Sequence, residues 1–328
     1  MAGEVISWTD MLPVSYQPDV LGLPFEQCVL LQPADYEGPV QSTLVRLRPT
    51  ANSVKAILYL HGFNDYFFQK EMARRYQEHG YRFYALDLRK YGRSWLPHQL
   101  PNNVRDLREY HADIDAALAV LQAEGCATVL LSGHSTGGLI AALYAQEGTQ
   151  RHTLAALILN SPFLALPQNW IVRNLAVPLV AAVGRLTPNL KIPGSLSTHY
   201  GASLHRQYRG EWEYNLTWKP FEVFHITMSW LRAIHIAHRR LQRGAVLTLP
   251  VLVLHSDQSV RGNSWSDEYF RADGVLKVSD IERLAPKLGT HITVASIAGG
   301  VHDLVLSPLP VREQVYEKIF TWLTVTLG

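Results

Sequence analysis

Cysteine is nearly missing from this chain. Cys28 and Cys126 are the only two among 328 residues, too few for a disulfide framework. Each precedes a strand-like segment, so both are expected as buried free thiols. Charge is sparse too. Asp, Glu, Lys and Arg make up 18% of the residues, the formal net charge is +2, and no long basic run occurs, which argues against a nucleic-acid partner. Long apolar runs are also wanting: residues 175–183 are the most apolar stretch, yet Pro178 interrupts them and they are too short to span a bilayer. No stable membrane insertion is therefore expected. The opening Met1-Ala2-Gly3-Glu4-Val5 has no basic segment leading into an apolar one, so no secretory leader is expected and the cytoplasm is the expected compartment.

Core-forming material is plentiful, with 47% hydrophobic residues. From about Val40 strand-like and helix-like pieces alternate, the sign of a mostly parallel sheet with helices on both faces. Residues 41–48 and 55–60 read as strands, 66–79 as a helix stopped by Gly80, and 82–88 as the next strand. A helix over 106–124 carries Ile114, Leu118 and Leu121 on one face. A strand over 128–132, a small-residue helix over 137–146 and a strand over 154–159 follow. The alternation then fails. Residues 163–245 hold helical pieces separated by Pro178, Pro188, Pro193 and Pro220, with Trp170, Trp212, Trp218 and Trp230 among them. It resumes with a strand at 251–254, a helix at 280–288, a strand at 292–297 and a last helix at 311–323. The expected organisation is an α/β core in two parts, 1–162 and 246–328, divided by a helical insertion over 163–245.

Three motifs carry chemistry. Gly133-His134-Ser135-Thr136-Gly137 lies between an apolar strand and a small-residue helix, the setting that turns G-x-S-x-G into a nucleophile elbow. The sharp turn leaves no space for side chains beside the serine, hence the glycines. The helix beginning after Ser135 brings positive potential to the place where an oxyanion would form. His61-Gly62-Phe63-Asn64 directly follows the strand over 55–60. A loop in that position donates one backbone N–H to an oxyanion hole, and the residue after the serine donates the other, which assigns the amides of Phe63 and Thr136. His302, in Gly299-Gly300-Val301-His302-Asp303, falls between the last strand and the last helix, where the base must be. His291, at the start of a strand, reads as structural. His235 and His238 share a helix face without a nearby acidic ligand, so no metal site is expected there. His238-Arg239-Arg240 and Arg243 read as a solvated helix end.

These residues, with Asp87-Leu88-Arg89-Lys90-Tyr91-Gly92-Arg93-Ser94 and Asn160-Ser161-Pro162, resemble the monoacylglycerol lipase and lysophospholipase branch of the α/β-hydrolase superfamily, of serine aminopeptidase S33 type. The resemblance runs from about residue 40 to the end and is loose across the insertion. It implies an α/β-hydrolase fold with a mostly parallel eight-stranded sheet flanked by helices and an inserted helical lid. It implies no cofactor and no metal. The implied activity is serine-dependent hydrolysis of a small acyl ester, through an acyl-enzyme, by a carboxylesterase or a lipase for monoacylglycerol- or lysophospholipid-like substrates. A ligand-binding receptor with negligible turnover and a short-peptide aminopeptidase are the alternatives.

The sequence departs from the family pattern at the acid. Where the family carries an aspartate a few residues past the strand, this chain has Ser259. Two candidates remain: Asp257, 45 residues before His302, and Asp273, 29 residues before it. Asp273-Gly274-Val275 reproduces the family's Asp-x-Val phrase at about the implied distance, so Asp273 is preferred. That choice requires residues 258–271 to loop out.

Overall fold

A computed structural model describes residues 14–168, 172–192, 198–244, 246–260, 262 and 264–328. The readings at Met1–Val5, Trp170 and Pro193 lie outside these residues. Among them, the central sheet comprises β1 (Gln17–Pro18), β2 (Phe25–Asp35), β3 (Gly38–Leu47), β4 (Lys55–Leu60), β5 (Arg82–Asp87), β6 (Thr128–His134) and β7 (Leu154–Asn160). After β8 (Lys191–Ile192) and β9 (Ile226–Thr227), which pair with each other, β10 (Val251–Ser256) and β11 (Ile292–Ile297) complete it. The order is β1-β2-β3-β5-β4-β6-β7-β10-β11, parallel from β5 through β11 and antiparallel at the β1–β3 edge. This is the α/β-hydrolase fold.

The sheet thus has nine strands rather than the expected eight, and β2 begins before the point where the sequence alternation becomes visible. The reason lies in its side chains. Cys28 and Leu30 face the core, but Val29 and Leu31 on the opposite face are also apolar and are exposed, so the strand lacks the apolar–polar alternation that would reveal it.

The α-helices among the described residues are α1 (Lys70–Glu78), α2 (Glu109–Ala123), α3 (Thr136–Glu147), α4 (Val177–Val183), α5 (Thr198–Leu204), α6 (Met228–Arg243), α7 (Val278–Leu284) and α8 (Leu309–Leu327). Side chains of α2, α3, α6 and α7 share one core layer, and those of α1 and α8 the other. The first helix starts four residues later than the sequence implies, because Tyr66, Phe67 and Phe68 are used as buried anchors of the loop after β4. The segment between β7 and β10 contains α4, α5 and α6 with the short β8–β9 pair. Thr227 caps α6 by accepting from the Trp230 N–H at 3.1 Å. His238 Nε2 meets the Phe163 carbonyl at 2.8 Å and fastens α6 to the core. Arg240 likewise turns to Asp106 at 2.8 Å. No helix among the described residues is long and apolar enough to cross a membrane.

The turn after β5 is built from buried charge. Arg89 clamps Asp113 on α2 through Nε at 3.0 Å and Nη2 at 2.7 Å, and Asp113 also accepts from the Arg89 N–H at 2.9 Å. Burial raises the Asp113 carboxyl above its usual range against the pull of Arg89. Removing one partner strands the other ion in a low dielectric. Asp113→Ala is therefore expected to cost about 3–5 kcal/mol of stability, measured by urea unfolding at neutral pH.

Candidate active site

The elbow follows directly from its glycines. β6 runs into Ser135, whose φ of +53° and ψ of −115° place a non-glycine residue in strained backbone before α3 begins at Thr136. A Cβ on Gly133 would lie 2.3 Å from the Gly137 carbonyl oxygen, and one on Gly137 would lie 2.4 Å from the Leu60 and His61 carbonyl oxygens. Only hydrogen fits at either place, so the turn can close onto the end of β4. The Ser135 N–H is held by the Asn160 carbonyl of β7 at 3.0 Å, and the Ser135 carbonyl accepts from Phe163 at 2.9 Å. Thr136 is the first residue of α3, and an amide at that position has no intrahelical partner and sits at the positive end of the helix.

The loop after β4 lies against this turn: an added Cβ on Gly62 would be 3.2 Å from the Ser135 Cβ. His61 shapes the loop. Its Nδ1–H donates to the Gly62 carbonyl at 2.8 Å, and its Nε2 accepts from the Leu88 N–H at 3.1 Å, which requires the neutral ring. Burial lowers its pKa below the usual imidazole range, consistent with that tautomer. Phe63, next in the chain, packs its ring 4.5 Å from Trp230 of α6.

His302 Nδ1 meets Asp273 Oδ2 at 2.8 Å, with both side chains buried. The second Asp273 oxygen accepts from the Val275 and Leu276 N–H groups at 2.8 and 2.7 Å, so the carboxylate is fixed from both sides. Asp257 is exposed and accepts from the Gly299 N–H at 3.0 Å; it is not brought to His302. The loop-out takes a definite form. Asp273 N–H donates to the Gln258 carbonyl and Val260 N–H donates to the Asp273 carbonyl, each at 2.9 Å, which joins Ser259 and Asp273 side by side. Ser259 Oγ also donates to the Leu276 carbonyl and accepts from Val278 N–H. Asp273 thus lies beside Ser259, which stands where the family resemblance places the acid, although thirteen positions separate the two in sequence.

Ser135, His302, Phe63 and Thr136 all line one cavity of about 340 Å³. Leu166, Val177, Ile192, Phe221, Ile226 and Trp230, from the segment between β7 and β10, make much of its remaining wall apolar.

Three residues to which the sequence assigned no role of their own gather near the serine. Asp65, His134 and Asp303 are buried, with ligand-type atoms within 4.8 Å of one another. The positive charge this grouping calls for is supplied by protein: Lys219 Nζ stands 2.7 Å from Asp65 Oδ1, and His134 Nδ1 is 3.7 Å from Asp65 Oδ2. Asp303 accepts from Asn160 Nδ2 at 2.7 Å and Gln69 Nε2 at 3.0 Å. Burial would favour a neutral His134, but Asp303 and Asp65 outweigh it and raise its pKa. Burial would likewise raise Asp65, but Lys219 and His134 prevail and hold it at about 2. A depressed carboxyl pKa stabilises the folded state above the unfolded value and loses that contribution as the pH falls through about 2. The stability advantage of the wild type over Lys219→Met is therefore expected to shrink between pH 4 and pH 2, measured by urea unfolding across that range. Asp65 follows Gly62 by three residues and could have been flagged as a charge in an apolar loop. Lys219 stands in the irregular stretch, where no periodicity assigns a direction to any side chain.

The model of the family described as serine aminopeptidase, S33, matches residues 51–308. The chain belongs to this family. Its fold is shared with a soluble variant of monoglyceride lipase from Saccharomyces cerevisiae in complex with a substrate analog, at a TM-score of 0.66 and 16% identity over 91% of this chain and 96% of that one. It is also shared with a monoacylglycerol lipase from Paleococcus ferrophilus, at 0.63 and 20% over 83% and 94%. A third similar structure is Est1E from Butyrivibrio proteoclasticus with bound ferulic acid, at 0.57 and 17% over 88% and 96%. No curated protein sequence matches the chain.

Proposed function

We propose that this family member hydrolyses carboxylic esters of modestly apolar acids through an acyl-enzyme on Ser135. The observation that carries the reading is the 2.8 Å contact between His302 and a fully buried Asp273, with His302 and the strained Ser135 on the wall of one cavity. In this reading His302 Nε2 takes the Ser135 proton as Oγ attacks the ester carbonyl, and Asp273 holds the ring's tautomer and balances the imidazolium. The amides of Phe63 and Thr136 receive the oxyanion, where one such donor contributes about 3 kcal/mol. His302 returns its proton to the departing alkoxide. It then activates water, whose attack frees the acid and restores Ser135.

The apolar wall suits an acyl chain, and the polar end near Lys219 and Asp65 suits a hydroxylated leaving group. Both features support a monoacylglycerol- or lysophospholipid-like substrate, with the segment 163–245 acting as a lid. The two buried free thiols fit a reducing compartment such as the cytoplasm. The aminopeptidase alternative requires a free carboxylate for the substrate's ammonium group. Among the described residues lining the cavity, Asp65 is the one carboxylate, and Lys219 already neutralises it.

The reading is tested with p-nitrophenyl acyl esters of graded chain length, a monoacylglycerol, a lysophospholipid and aminoacyl p-nitroanilides. Turnover of the esters with little or none of the anilides is expected. Preferential cleavage of the anilides, or no ester turnover at any chain length, would contradict it.

A further inference from the structure

The loop between Ser259 and Asp273 makes contacts beyond delivering the acid. Its residues Val260, Tyr269 and Ala272 form a small buried cluster of their own, against which Trp265 and Tyr200 pack. Trp265 and Tyr269 stack at 5.8 Å, and the Arg209 guanidinium lies 4.3 Å over the Trp265 ring. From α5, His199 approaches Tyr269 at 5.4 Å and Trp265 at 6.1 Å. Tyr269 also reaches back to the acid: an added Cβ on Gly274, the residue after Asp273, would lie 2.8 Å from its ring. One aromatic unit therefore touches both the neighbour of Asp273 and helix α5.

Tyr200 stands at the other end of this unit. Its hydroxyl oxygen accepts from the Asp303 N–H at 2.9 Å, so it holds the peptide that follows His302. Its ring meets the His302 imidazole edge-on at 5.6 Å. The remaining restraints on the His302–Asp303 pair described above come from Asp273, Asn160 and Gln69, all from the α/β core. Tyr200 adds a restraint from the segment between β7 and β10.

We propose that Tyr200 is a positioning residue for His302, seated by the 260–272 loop, so that this loop sets acid and base in register through helix α5. The inference rests on the function proposed above, because it assigns His302 the role of base. It gives the loop a purpose that a simple displacement of the acid does not require. Trp265 and Tyr269 do not belong to the cavity's described lining, so any effect of Trp265 on the chemistry must travel through α5 or Asp273.

The test compares wild type, Tyr200→Phe, Trp265→Ala and the double variant on a p-nitrophenyl ester, after confirming native folding by circular dichroism. Each single variant is expected to lose about fivefold in kcat with KM within twofold, the loss expected from one orienting contact. The double variant is expected to lose little more than the worse single one, because the same chain of contacts is cut once. Trp265→Phe is expected to restore most of kcat, which separates positioning from a general loss of fold. A second readout needs no turnover: the downfield proton resonance of His302 Nδ1–H, sharp in wild type, is expected to broaden in both single variants. If wild type hydrolyses no ester, the proposed function fails while this resonance still reports on the contact chain. Unchanged kcat and an unchanged resonance in both variants would overturn the inference. So would a rise in KM at constant kcat, or fully additive losses in the double variant.

Discussion

Asp273→Asn is expected to lower kcat for ester hydrolysis by about 10⁴-fold, and Asp257→Asn to leave it within twofold. The asymmetry follows from what each carboxylate touches. Asp273 is buried, accepts two backbone N–H groups on one oxygen and receives the His302 Nδ1–H on the other. An amide there presents either a donor where His302 needs an acceptor or the wrong tautomer of the ring. The Val275 and Leu276 amides would still find an oxygen, so the fold is expected to survive, and unchanged circular dichroism checks this. Asp257 faces solvent and holds Gly299, a contact that Asn can keep through its carbonyl oxygen. Equal losses in the two variants, or a loss confined to Asp257→Asn, would remove Asp273 from the mechanism.

The second large effect is expected at Ser135, the proposed nucleophile. Ser135→Ala is expected to reduce kcat by about 10⁶-fold, the scale seen when a triad serine is deleted. Any activity left is expected to come from binding and from the Phe63 and Thr136 amides proposed as the oxyanion hole, which alanine does not disturb. Alanine must still adopt the backbone of Ser135, at a φ of +53°, and that strain is the same for either side chain. Stability is therefore expected to change by less than about 1 kcal/mol in urea unfolding. Combining Ser135→Ala with Asp273→Asn should cost little more than Ser135→Ala alone, since the two groups act as one unit.

Much of this arrangement was legible in the sequence because local chemistry and tertiary position coincide there. The strand read over 128–132, the glycines at 133 and 137 and the helix read from Gly137 are each demanded by one tight turn, and in the structure the strand runs on to His134 and the helix begins at Thr136. No tertiary information was needed to see it. The strand over 292–297 was read with its observed boundaries for a similar reason, being bounded by a helix and a glycine turn. Other features depend on contacts between distant segments. β2 hides because its outer face is apolar, and the buried ring anchors Tyr66–Phe68 look like the start of a helix by periodicity alone. The choice between Asp257 and Asp273 was open in the sequence because thirteen positions separate Asp273 from Ser259, which stands where the family resemblance places an acid. Only the backbone bridge that rejoins Ser259 to Asp273 shows that the two occupy one place. Tyr200 and Lys219 belong to a segment interrupted by prolines, where direction is set by packing onto the core and leaves no pattern in the residues themselves.

The central claim is that Ser135 is a nucleophile activated within one buried arrangement of His302 and Asp273. It is tested most directly by treating the wild-type protein with a fluorophosphonate and locating the adduct by peptide mass spectrometry. One adduct per chain is expected, on Ser135, with none formed on Ser135→Ala and labelling slowed by orders of magnitude on Asp273→Asn. An unmodified wild-type protein, or an adduct on any residue other than Ser135, would contradict it.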